Sequence, residues 1–160
     1  MTIPIETQFA IQQLNAAYAQ AIDDNRLEDW PNFFTADGRY RVTTSDNFER
    51  GLPLSLIYAT SQAMLRDRVL SLREANIYEA QRYRHVVGLP LVERAADGSL
   101  TAQTSFVVVR IMHTGESLLF ASGVYRDRIV LDGVNQAPKF AERIVVLDSR
   151  QIDTLLAIPL

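Results

Sequence analysis

Residues 100–131 read LTAQTSFVVVRIMHTGESLLFASGVYRDRIVL, two runs rich in β-branched and aromatic residues, split by the turn signal Thr114-Gly115. Leu100 to Met112 and Ser117 to Leu131 predict two strands joined by a short turn, which makes them antiparallel neighbours. Both exceed the usual strand length of about 5–6 residues, so strong curvature or bulges are expected. Moving outward, Tyr83 to Glu93 and Phe140 to Ser149 are β-rich, and Asp97-Gly98 and Asp132-Gly133 supply the connecting turns. The second half of the chain thus predicts an antiparallel meander, with Gly88 and Gly123 as bend points inside strand patterns.

The first half changes period. Ile11, Leu14, Ala17, Tyr18, Ala21 and Ile22 recur at helical spacing, a stripe closed by Asp23, Asp24 and Asn25. Leu27 to Trp30 predicts a short helix near Pro31, and Arg39 to Val42 alternates like a strand. Leu56 to Ala75 predicts a second long helix on which Leu65, Val69 and Leu72 stack. Its Arg66, Asp67, Arg68, Arg73 and Glu74 read as a solvated mixed-charge face. Helices followed by a long curved antiparallel sheet define an α+β domain over residues 1–160, with the helices lying across the concave face to form a cone.

Composition narrows function. A net charge of −3 argues against nucleic acid, which needs clustered cations. With no cysteine, the chain has no disulfide, thiol nucleophile or thiolate-held cluster. Met1 to Gln8 lacks the basic and apolar regions of a secretory signal, and no apolar run approaches the ~20 residues of a membrane span. A cytoplasmic protein is expected.

No metal site is expected, since His85 and His113 lie on separate predicted strands without a helical ligand pair. Nucleophile-elbow and phosphate-cradle motifs do not occur. A cone pocket doing acid–base chemistry would draw on Asp23, Tyr40 and His85, although Tyr18, Trp30 and Tyr40 are equally suited to core packing. Alternation in Arg82-Tyr83-Arg84-His85 puts the two arginines on one face and Tyr83 with His85 on the other. Arg82, Arg84 and His85 are accordingly candidates for a subunit contact. Leu155, Leu156, Ile158 and Leu160 form an apolar tail beyond the last strand. Such a tail needs cover, from its own chain or from a neighbour, which makes Leu155, Leu156 and Leu160 further contact candidates.

Several segments in order resemble one family. Asp29-Trp30-Pro31-Asn32-Phe33-Phe34 with Tyr40-Arg41-Val42, Met64 to Val69, Arg84-His85-Val86-Val87-Gly88, Phe120 to Tyr125, and Asp148-Ser149 with Asp153-Thr154-Leu155 are similar to the small β subunits of Rieske-type aromatic-ring-hydroxylating dioxygenases. Leu72 to Glu79 and Arg110 to Glu116 resemble the terephthalate type in particular, to which salicylate, anthranilate and benzoate types are related. The resemblance implies a cystatin-like, nuclear-transport-factor-2-like (NTF2-like) fold. It implies a non-catalytic subunit of an α3β3 hexamer whose β trimer stabilises the assembly. The large subunit would hold the Rieske [2Fe–2S] cluster, the mononuclear iron and the substrate, with a reductase delivering electrons from NAD(P)H. The lack of cysteine agrees, because a Rieske cluster needs two Cys and two His on its own chain. Arg84 and His85 match a recurrent Arg-His pair of that family. The alternatives of another class are a stand-alone dehydratase or isomerase and a small-ligand-binding protein.

Overall fold

The computed structural model describes residues 2–74, 80–151 and 156–160. Helix α1 (Ile5–Asp23) leads through a 3-10 turn (Trp30–Phe33) into strand β1 (Phe34–Thr44), a short helix α2 (Ser45–Glu49), strand β2 (Ile57–Ala59) and helix α3 (Gln62–Glu74). Strands β3 (Gln81–Val87), β4 (Leu91–Arg94), β5 (Leu100–Met112), β6 (Ser117–Asp132) and β7 (Ala137–Leu147) follow.

Helix α1 ends where the sequence places its stop. Asn25 adopts a left-handed φ of 59°, and Arg26 N–H and Asn25 N–H bond back to the carbonyls of Ala21 and Ile22, a Schellman closure. Arg73, in the last turn of α3, clamps this corner. It donates to Asn25 O at 2.7 Å and to both carboxylate oxygens of Glu28 at 2.7 and 3.0 Å.

Among the described residues the sheet has seven strands in the order β2-β1-β7-β6-β5-β3, with β4 also on β5. Strands β5, β6 and β7 form the expected meander, and the turn glycines Gly98, Gly115 and Gly133 take positive φ. The expectation of a wholly antiparallel sheet is corrected at β1, which runs parallel to β7. The intervening helices let the chain return on the same heading, which a short turn cannot do. The expected strand from Tyr83 to Glu93 is two strands, since Pro90 has no amide to continue the ladder. The long helix begins at Gln62 and not Leu56, because Ile57–Ala59 pair with β1 and Ser61 Oγ then accepts from Met64 N–H.

Curvature comes from extra residues. Phe120 has no partner in the β5–β6 register and Ala141 none in β6–β7. Gly123 has a different duty from the bend assigned to it, since a Cβ there would lie 2.0 Å from Val146 O. Only glycine lets β6 and β7 approach so closely.

Helices α1 and α3 cover one face. Ile11, Leu14, Tyr18 and Ile22 point from α1 into a core with Trp30, Phe34, Tyr40, Tyr125 and Phe140. Tyr18 meets Phe140 and Tyr125 edge-on at 5.7 and 6.0 Å, and each fully buried large side chain contributes roughly 1.5–3 kcal/mol.

Candidate functional site

Two polar clusters lie inside the cone. The first joins Asp23, in the last turn of α1, to β3. Its Oδ2 accepts from the His85 amide at 2.8 Å and its Oδ1 lies 2.6 Å from His85 Nδ1. Both side chains are buried, and Arg84 Nη1 approaches Asp23 from outside at 3.9 Å. A carboxylate on Nδ1 holds that nitrogen's proton in the neutral ring, which leaves Nε2 as an acceptor. Nε2 is buried with no hydrogen-bond partner among the described residues. This is the geometry of an oriented base, and the structure brings together two of the three residues the sequence nominates for acid–base work.

Tyr40, the third, belongs to another cluster. Its hydroxyl donates to Leu160 O at 3.0 Å and accepts from Leu160 N–H at 3.0 Å, while Tyr18 donates to the same oxygen at 2.7 Å. Burial raises the pKa of Tyr18, and raises those of Tyr40 and Tyr125 further above the ordinary phenol value. All three are therefore neutral at physiological pH.

Between the clusters stands an ion pair absent from the sequence reading. Asp127 and Arg143 face each other across β6 and β7. Arg143 Nε and Nη2 donate to the Asp127 carboxylate at 2.8 Å each, and Nη2 also donates to Asn15 Oδ1. Both side chains are fully buried. The guanidinium carbon sits 3.9 Å from the ring centres of Tyr125 and Phe140 and 4.3 Å from that of Tyr18. Burial pulls the Arg143 pKa down, but Asp127 outweighs it and the group is held charged. Strand parity is the signal that finds this pair: Asp127 shares its face with Tyr125 and Ile129, and Arg143 with Val145.

The contact candidates divide. Arg82 and Arg84 are exposed while Tyr83 and His85 are buried, the alternation the sequence predicts. They border a surface depression of about 540 Å³ that Asp23 and Ile158 also line. His85, with no exposed side-chain surface, cannot itself touch a neighbour. Leu156 and Leu160 are corrected in the same way: both are buried against their own chain's core, which is the cheapest cover for apolar groups already tethered nearby. Leu155 lies outside the described residues. Arg68 is likewise not on a solvated face, since its Nη2 donates to Leu156 O and Ala157 O at 3.1 Å each. Among the described residues no three His, Cys, Asp or Glu come together as a metal site.

A cone of helices on a curved sheet, with polar groups inside, is the architecture of the SnoaL-like domain, whose family matches residues 4–137. The class follows: this is a SnoaL-like, NTF2-like protein. The chain is also 49% identical over 154 residues to the terephthalate 1,2-dioxygenase terminal oxygenase component subunit beta 1 of a Comamonas species, covering 96% of this chain and 98% of the relative. It is 39% identical to the anthranilate 1,2-dioxygenase small subunit of Burkholderia cepacia, covering 100% and 98%. The crystal structure of a β subunit assigned to an aromatic-ring-hydroxylating dioxygenase of Novosphingobium aromaticivorans superimposes with a TM-score of 0.86 at 36% identity, covering 96% and 97%. The chain belongs to the small β subunits of aromatic-ring-hydroxylating dioxygenases.

Proposed function

We propose that this chain is the structural, non-catalytic subunit of a cytoplasmic oxygenase acting on an aromatic carboxylate of the terephthalate type. Three copies form a trimeric base that holds three large subunits in a hexamer. The Rieske cluster, the mononuclear iron and the substrate pocket belong to the large subunit, and a reductase supplies electrons from NAD(P)H. The observation that carries the scaffold role is the closed interior. Trp30, Phe34, Tyr18, Tyr40, Tyr125, Phe140, Arg143 and Leu160 are all fully buried there, so the cone is filled with its own side chains. Near-complete coverage of the terephthalate-type relative supports the substrate class.

Co-expression with the large subunit tests the proposal, reading native mass and visible spectrum. A hexamer-sized species with Rieske absorption that contains this chain is expected; a colourless chain that never joins the large subunit overturns the reading. Arg84 and Arg82 are the exposed contact candidates. Arg84→Ala is expected to loosen the hexamer, and an intact hexamer with unchanged turnover removes the contact role.

The Asp23–His85 pair supports a second reading, proton transfer inside the cone. His85→Gln separates the two: unchanged turnover in an intact hexamer leaves the pair structural.

A further inference from the structure

We infer that copies of this chain meet head to tail, the outer side of α1 on one copy seated against Leu54, Leu56 and Tyr58 of the next. The inference names the surfaces of the trimeric base proposed above and rests on that reading. Its first ground is the contrast between the two helices that cover the sheet. Helix α3 has 13 residues, of which Arg66, Asp67, Arg68, Arg73 and Glu74 are charged, as suits a helix with a wet outer side. From Ile5 to Ile22, α1 carries a single charge, Glu6. Its outward side is otherwise glutamine and alanine, with Ile5 and Phe9 one turn apart and 75% and 58% exposed. Depletion of charge beside exposed aromatic and aliphatic groups is the composition of a covered surface.

The second ground is a patch that complements it. Leu54, Leu56 and Tyr58 are each more than half exposed, leading into and along the edge strand β2. Arg41 fixes this segment by donating to Ser55 Oγ at 2.7 Å and Leu52 O at 2.8 Å, and Thr43 donates to Leu54 O at 2.8 Å. A partner therefore meets a preformed patch and spends little on ordering it. Tyr58 lies opposite Arg41 in the β1–β2 register, so the exposed Arg39, two residues along β1, borders it on the same face. The apolar triplet is thus edged by a cation and the Ile5–Phe9 pair by an anion. Among the described residues neither Glu6 nor Arg39 forms an ion pair within its own chain.

The third ground is placement. Strand β2 closes one end of the strand order, and β3 and β4 lie at the other. The start of α1 sits at that other end, where Ile3 and Gln8 share a groove with Val92, Glu93 and Arg94 of β4. Unlike patches on opposite margins join successive copies head to tail, and such contacts close into a ring where the rotation allows. In a ring of three, each copy is held at two contacts, and the exposed Arg82 and Arg84 stay available to the large subunit.

The chain has no cysteine, so introduced thiols report this contact directly. Phe9→Cys/Tyr58→Cys in the full chain, assembled with the large subunit and treated with a short bis-maleimide, is expected to give linked species of two and three times the 18.0 kDa chain. Each single variant is expected to give neither, because a head-to-tail contact never sets a residue against its own copy; the two single variants mixed should stop at two chains. In parallel, Glu6→Arg and Arg39→Glu are each expected to raise the dissociation constant of the trimer about fivefold per contact, and their combination to restore it. A single variant that links to itself marks a two-fold contact, and a link from either site to the large subunit marks that subunit as the occupant; each overturns the proposal. A hexamer of native mass in which the double variant links no better than the singles, and the charge exchange restores nothing, overturns it while leaving the trimeric base standing. A chain that forms neither trimer nor hexamer overturns both.

Discussion

Removing one partner of the Asp127–Arg143 pair is the most demanding test of how this interior is held. Both side chains are fully buried, the two bonds between them are 2.8 Å each, and Asn15 accepts a third from the guanidinium. Asp127→Leu strands a guanidinium among Tyr18, Tyr125 and Phe140, where rings alone cannot replace water. Breaking such a pair from one side costs about 3–5 kcal/mol, roughly a fifth or more of the ~5–15 kcal/mol that keeps a domain folded. Arg143→Met should cost a similar amount, because it leaves a buried carboxylate. The double variant Asp127→Leu/Arg143→Met removes both charges and fills the space, so it should return to within about 1–2 kcal/mol of the natural chain. Urea unfolding followed by Trp30 fluorescence at fixed protein concentration reads all three. With a slope of ~2 kcal/mol/M, each single variant lowers the midpoint by roughly 2 M, and the double variant recovers most of it. Single variants within about 1 kcal/mol of the natural chain, or a double variant whose loss equals the sum of the singles, would refute the reasoning.

Gly123→Ala drives a Cβ to 2.0 Å from Val146 O, so β6 and β7 must part and the melting temperature should fall by the equivalent of at least ~2 kcal/mol. Tyr18, Tyr40 and Tyr125 all have pKa values raised by burial; stability is full below the unfolded phenol value of about 10 and is lost as pH rises through the folded values. Tyrosinate absorbance from these three should therefore appear together with unfolding, and its appearance in a still-folded chain counts against the burial argument. Asp23→Asn leaves the His85 amide an acceptor but no anion beside Nδ1, and should cost about 1–3 kcal/mol by thermal melting; a cost near zero means the pair is not a tie between α1 and β3.

Much of this was legible locally. The α1 stripe, the Asp-Gly turns and the alternation in Arg82-Tyr83-Arg84-His85 are properties of neighbouring residues, and the structure repeats them except at Ala17, which is exposed while Ala19 takes a buried place. What escaped depends on distant partners. Strand β1 pairs parallel with β7, a choice that no local pattern in residues 34–44 expresses. Ile57–Ala59 is a strand because β1 offers it an edge, although its spacing continues the helical pattern that follows. Arg143 and Asp127 read as ordinary strand charges until parity is counted against Tyr125 and Val145. Arg68 follows Arg66 and Asp67 on α3 and reads as solvated, yet the tail comes back to it. Candidate site residues were therefore found where chemistry and local pattern coincide, at Asp23 and His85, and missed where a buried charge is made tolerable only by another strand.

The filling of the interior also says where a partner must bind. Residues far apart in sequence close the cone: Tyr18 from α1, Tyr40 from β1 and Leu160 meet at one oxygen, while Asn15 from α1 reaches Arg143 on β7. With those groups turned inward, the surface left for another subunit is the outside. That outside carries Leu54, Leu56 and Tyr58 around β2, and Val86 and Leu119 on β3 and β6, each more than half exposed. Scattered apolar side chains are ordinary on a surface, whereas Leu54, Leu56 and Tyr58 are exposed at alternate positions leading into and along the edge strand β2. Arg84 adds a cation on β3 near Val86, the apolar-and-arginine mixture that interface cores favour. Tyr18, Tyr40 and Arg143 are fully buried inside the cone, so the exposed apolar and arginine side chains of the outer face are the groups that a neighbouring subunit can reach.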